Sequence, residues 1–160
     1  MRVPLLDLKA QYESIRESLE QAVLETLRGG QWILGPQVEA LENALASRLA
    51  VPHAIGVASG TDALLLALRA AGVRPGDDVV LPSYTFFATA GAVVNVGARP
   101  VFAEIEDDSM NLDPSRLEAA LTDATRAVIV VYLYGQSANL EPIAEICARR
   151  KIALIEDVAQ

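Results

Sequence analysis

The chain has 160 residues, 52% of them hydrophobic and 21% charged, with 21 acids against 13 bases and a net charge of −8. That length suits one domain able to bury about 68–70% of its unfolded surface, and the apolar content excludes a disordered polymer. The negative balance works against nucleic acid or an anionic membrane as partner, no basic stripe appears, and no apolar run is long or pure enough to cross a bilayer.

Met1-Arg2-Val3-Pro4-Leu5-Leu6-Asp7 carries an early acid and no apolar core ending in small residues, so it does not read as a secretion signal, and a cytoplasmic protein is expected. From Tyr12 to Leu27 the apolar residues Ile15, Leu19, Val23 and Leu27 recur with helical spacing, and Gly29-Gly30 ends the run. Gln31 to Gly35 connects to a second helix opened by Pro36, with Val38, Leu41, Leu45 and Leu49 on one face and Pro52 closing it. Residues 1–53 therefore read as an amino-terminal helical segment, an arm or layer beside a sheet or a contact to a partner subunit. His53 reads as a loop residue.

From residue 54 the pattern becomes strand, turn and helix repeated. Strands are expected at Ala54–Ala58, Asp78–Leu81, Pro100–Ile105, Ala127–Leu133 and Ile152–Glu156, alternating with helices at Thr61–Ala71, Thr85–Val96, Pro114–Leu121 and Leu140–Arg150. This specifies an α/β domain over residues 54–160 with a mostly parallel sheet. Asp113-Pro114 supplies a helix cap and a first-turn proline. Cys147, the single cysteine, reads as a small half-buried hydrophobe, and neither a disulfide framework nor a metal site is expected. The last strand needs apolar cover on both faces, so the chain reads as the amino-terminal part of a longer enzyme.

Three strand ends carry residues that could do chemistry. Ser59-Gly60-Thr61-Asp62 joins a strand to a helix, where free N–H groups and the helix dipole suit a phosphate, although these residue types are also ordinary caps. Pro82-Ser83-Tyr84-Thr85-Phe86-Phe87 places rings at a second strand end. Phe86 could stack on a planar ligand or pack in the core, and the core reading suits Phe87. Asp157 ends the last strand, where a carboxylate could hold a pyridine nitrogen protonated, bind a ribose or a magnesium ion, or simply meet solvent. Gln160 follows three residues on and could hydrogen-bond a phenolic oxygen of the same ring. A dinucleotide-binding domain is disfavoured, because the acid such a fold carries about 20 residues after its glycine turn is replaced by Leu81-Pro82-Ser83.

Phosphate turn, ring and terminal acid together describe a pyridoxal-phosphate pocket, and the chain resembles the DegT/DnrJ/EryC1/StrS aminotransferases. The resemblance rests on Pro4 to Tyr12, Leu34-Gly-Pro36, Ser59-Gly-Thr-Asp-Ala-Leu64, Pro82-Ser-Tyr-Thr-Phe86, Gly97-Ala-Arg-Pro-Val-Phe102, Tyr132-Leu-Tyr-Gly-Gln136 and Ile155-Glu-Asp-Val-Ala-Gln160. It implies the large domain of a fold type I pyridoxal-phosphate enzyme, a three-layer sandwich, incomplete here. It also implies a homodimer using pyridoxal 5′-phosphate to aminate a keto-sugar nucleotide with glutamate as donor.

By the same resemblance, Gly60, Thr61 and Asp62 hold the cofactor phosphate and Phe86 stacks on its ring. Asp157 partners the ring nitrogen and Gln160 lies near the phenolic oxygen. Tyr84 and Gln136 fall in matching loops without an implied role. The family's Schiff-base lysine has no counterpart, since Lys9 and Lys151 are the chain's two lysines and neither matches it. The chain alone is therefore expected to be inactive. The alternatives are a degenerate, non-catalytic interaction module of the same fold, or a sugar dehydratase of the same family.

Overall fold

The computed structural model describes residues 6–160, so the Pro4-Leu5 part of the first matching segment lies outside the described residues. Two compact units divide the chain, the first ending at Gly56 and the second running Val57–Gln160.

The first unit is two helices. In α1 (Leu8–Gly29) the Asp7 carboxylate accepts the Ala10 N–H at 2.9 Å, and Gly30, at φ +68°, ends the helix in the left-handed conformation. In α2 (Pro36–Leu49) the first-turn proline is already shaped for the helix, and Ala50 closes the other end. Both helices keep the expected periodicity, yet neither has a buried residue; Ile15, Leu19, Val23 and Leu27 stay exposed, as do Trp32, Ile33 and Leu34 of the connector.

The strand expected at Ala54–Ala58 is absent. The segment has no ladder partner, and Ile55 is 80% exposed. Its Gly56 N–H donates instead to the Glu42 carboxylate at 2.6 Å. An apolar run becomes a strand only by pairing, which its own residues do not encode.

The second unit holds α3 (Gly60–Ala70), β1 (Asp78–Pro82), α4 (Phe87–Asn95), β2 (Arg99–Ala103), α5 (Pro114–Ala120), β3 (Thr125–Val131), α6 (Leu140–Arg150) and β4 (Ala153–Asp157). The four strands form one parallel sheet in the order β2-β1-β3-β4. Because side chains alternate across a strand, each strand feeds two cores. Val79, Leu81, Ala127 and Ile129 pack with Leu68 of α3 and with Ala92 and Val93 of α4. Val80, Val128 and Val130 pack on the opposite face with Leu117 of α5 and with Ile143, Ile146 and Cys147 of α6. The result is the expected three-layer α/β arrangement. Cys147 lies deeper than its half-buried reading, at 3% exposure, and burial pushes its thiol up to about 11.

The amino ends of the strands are tied by charge. Asp78 is fully buried and receives two hydrogen bonds from Arg99, at 2.7 and 2.8 Å, and one from the Thr122 hydroxyl at 2.6 Å. At the other end the topology opens a crevice: from β1 the chain crosses to one side, into β2, and from β3 to the other, into β4. Ligands of open parallel sheets bind outside the carboxyl ends at such a reversal.

Candidate functional site

The turn into α3 begins at Ser59, whose extended backbone makes it the cap. Its hydroxyl accepts the Asp62 N–H at 3.1 Å and donates to the Asp62 carboxylate at 2.9 Å. Asp62 is thus engaged as part of the cap. The first-turn N–H groups of Gly60 and Thr61 remain, which no helical carbonyl can reach, and space beside the Gly60 α-carbon is open to 4 Å. Those amides and the positive end of an 11-residue helix can seat an anion the size of a phosphate.

Gly60 and Asp157 line one pocket of about 290 Å³ between α3 and β4, floored by Ala63, Leu64, Ala67 and Ile155. Asp157 closes β4. Its Oδ1 accepts the Ala159 N–H at 3.3 Å and its Oδ2 accepts the Thr89 hydroxyl at 3.4 Å, while the Tyr132 N–H donates to its carbonyl at 3.0 Å. The sheet thus presents a carboxylate beside an apolar floor, with the anion seat on the same cavity.

Phe86 sits at the cap position of α4 with extended backbone and is 74% exposed, so its ring is outside the core. The core reading of Phe87 is overturned, since that ring is 81% exposed and lies against Gly91, where an added Cβ would come within 3.2 Å of it. The buried face of α4 is Thr89, Ala92 and Val93, and residue 87 falls on the far side of that helix. Thr85, beside Phe86, contacts Thr89 at 3.1 Å and thereby links this turn to Asp157.

The loop after β3 contacts Gln160, which follows the last of the pocket residues. The Gln160 side-chain oxygen accepts the Tyr134 N–H, and the Tyr134 hydroxyl meets the Tyr84 hydroxyl at 2.9 Å, a contact that raises the Tyr134 pKa. Asn111, 1% exposed, holds this loop from beneath by donating to the Gln136 carbonyl at 3.0 Å and accepting the Leu133 N–H at 3.1 Å. On the other face of β4, Glu156 accepts from Tyr132, whose hydroxyl burial and that carboxylate push up to about 12. Thr89 and Asn111 escaped the sequence reading. Thr89 resembles any helix residue, and the one available signal for Asn111 was a polar side chain just ahead of the Asp113-Pro114 cap. Lys151 caps α6 and so lies at the amino end of β4, opposite this crevice, while Lys9 belongs to the first unit. Among the described residues no group of histidine, cysteine and acids could hold a metal, and no helix is long and apolar enough to cross a membrane.

The model of the DegT/DnrJ/EryC1/StrS aminotransferase family matches residues 13–160. The chain belongs to that family. It is 46% identical over its whole length to the "pleiotropic regulatory protein" of Geobacillus stearothermophilus. It is 44% identical over 99% of its length to dTDP-3-amino-3,4,6-trideoxy-alpha-D-glucose transaminase of Streptomyces venezuelae. It spans 43% and 42% of the length of these two relatives. Among solved structures, NtdA of Bacillus subtilis with bound cofactor PMP superposes on 99% of the chain with a TM-score of 0.95 at 33% identity, the chain covering 37% of it. The fold is that of the fold type I aminotransferases, as the resemblance implied.

Proposed function

We propose that this chain is the cofactor-binding part of a sugar-nucleotide aminotransferase that uses pyridoxal phosphate. The observation that carries the reading is the single pocket shared by the Gly60 turn and Asp157. The relatives, a sugar transaminase among them, and the PMP bound to the structural neighbour support it. When bound, the cofactor supplies the carbonyl that takes up the amino group and a ring that accepts electrons.

In this reading the Gly60 and Thr61 amides and the Thr61 hydroxyl bind the phosphate, with Asp62 fixing the turn through Ser59. Phe86 covers one face of the ring, and Asp157 keeps its nitrogen protonated. Gln160 lies near the phenolic oxygen: its carbonyl oxygen is held by Tyr134, leaving its amide NH₂ to donate. The substrate is a keto-sugar nucleotide, the donor glutamate, and the working form a cytoplasmic homodimer to which α1 and α2 contribute.

The second reading is a non-catalytic module of the same fold or a sugar dehydratase of the same family. The full-length protein mixed with pyridoxal phosphate distinguishes them. A visible absorption band made permanent by borohydride, together with glutamate-dependent amination of a keto-sugar nucleotide, supports the aminotransferase. A band that borohydride cannot fix favours the second reading, and no band with no binding sinks both cofactor-dependent readings.

A further inference from the structure

Thr89 is fully buried in the first turn of α4, in a face otherwise made of Ala92 and Val93. A valine would fill the same volume without a hydroxyl to satisfy, and burying an unpaired hydroxyl is unfavourable. A threonine inside a helix commonly turns its hydroxyl back to the carbonyl four residues earlier. Here it does not. Its Oγ1 lies 3.1 Å from the Thr85 Oγ1 and 3.4 Å from the Asp157 Oδ2.

The direction of this chain follows from what each group can do. An ionised carboxylate only accepts hydrogen bonds, so the single hydroxyl hydrogen of Thr89 goes to Asp157, and its lone pair accepts the hydrogen of Thr85. With the Ala159 N–H on Oδ1, both carboxylate oxygens are held, one from its own turn and one from a different element 68 residues away in sequence. The plane of the carboxylate is therefore fixed where Asp157 lines the pocket. We propose that Thr89 is a positioning residue that acts through Asp157 on the cofactor's ring nitrogen, with Thr85 setting the direction of its hydroxyl. This rests on the cofactor reading above.

The test uses the full-length protein and pyridoxamine phosphate carrying ¹⁵N at the ring nitrogen. In the unaltered protein the bound nitrogen resonates as a protonated pyridinium. Thr89→Val weakens binding about tenfold, the low end for a hydrogen bond to a charged group because 3.4 Å is long, and moves the resonance toward the neutral form. Thr89→Ser restores both. Thr85→Val shifts the resonance the same way by less, and it carries the test if Thr89→Val does not fold. A pyridinium resonance unchanged in Thr89→Val, or in Thr85→Val where that variant stands in, overturns the role of Thr89 and leaves the pocket standing. Failure of the unaltered protein to bind the labelled compound removes the cofactor reading and this proposal together.

Discussion

Asp78 and Arg99 form a two-pronged ion pair in which the acid has no exposed surface and the arginine side chain keeps 69% of its own. The pair joins the first residues of β1 and β2, whose Cα atoms are register partners, and Thr122 extends it toward the start of β3. The hydrogen bonds from Arg99 and then Thr122 hold the Asp78 carboxyl below its ordinary value, against the opposing effect of burial. A carboxyl depressed in the folded state stabilises above its unfolded pKa, about 3.9, and that contribution is lost as pH falls through the lower folded value. Urea unfolding of the Asp78→Asn variant from pH 7 to about pH 2 is expected to show a lower midpoint at neutrality and a flatter acid limb. Parallel curves for the two proteins would remove Asp78 from the acid response.

If the proposed function holds, replacing Asp157 by Asn in the full-length protein leaves the thermal transition within a degree or two and reduces turnover by orders of magnitude, because the proposed ionic partner of the ring nitrogen is removed. Steady-state kinetics beside a melting curve separate the two effects. Near-normal kcat would take Asp157 out of the chemistry.

Asn111 satisfies two backbone groups of the loop bearing Tyr134 and Gln136. Asn111→Ala strands the Leu133 N–H, with an expected loss of about 1–3 kcal/mol. Because the loop packs tyrosines, the near-ultraviolet circular dichroism should change before the far-ultraviolet signal does. Equal loss of both signals at every denaturant concentration would show a merely global effect.

Gly97 and Gly76 separate conformational strain from collision. Both have positive φ, +81° and +90°, but a Cβ on Gly97 would meet the Pro75 ring from 3.0 Å, whereas beside Gly76 nothing lies within 4 Å. Gly76→Ala is expected to destabilise by about 1 kcal/mol and Gly97→Ala by about 1–3 kcal/mol more. Chemical denaturation of the two variants side by side checks the order.

A thiol reagent offers a direct view of opening. Cys147 lies on the buried face of α6 and its thiol is pushed up to about 11, so at pH 8 the folded protein should react slowly, and completely only in denaturant. Prompt reaction of the native protein would show that α6 is loosely held.

Much of this architecture is written locally. The Asp113-Pro114 start of α5 falls where its cap places it, the Leu140–Arg150 helix has its expected bounds, and the apolar runs of β1 and β3 announce buried strands, while β4 is half-buried. Ala54–Ala58 has the same composition and is not a strand, because pairing is supplied by distant residues. Phe87 looks like core by residue type, yet the point at which α4 begins turns it outward. In the candidate site, Gly60, Thr61, Phe86 and Asp157 could be picked out as ends of elements. Thr89 could not, since its importance arises from a contact across 68 residues of sequence.

β3 serves both cores at once: Ala127, Ile129 and Val131 belong to one, Val128 and Val130 to the other. Losing or gaining one residue within Thr125–Val131 would therefore exchange the membership of both interiors and offset β3 against β1 and β4 together. Natural descendants of this protein should be free to trade one apolar residue for another along β3, while accumulating insertions and deletions in the surface turns that flank it.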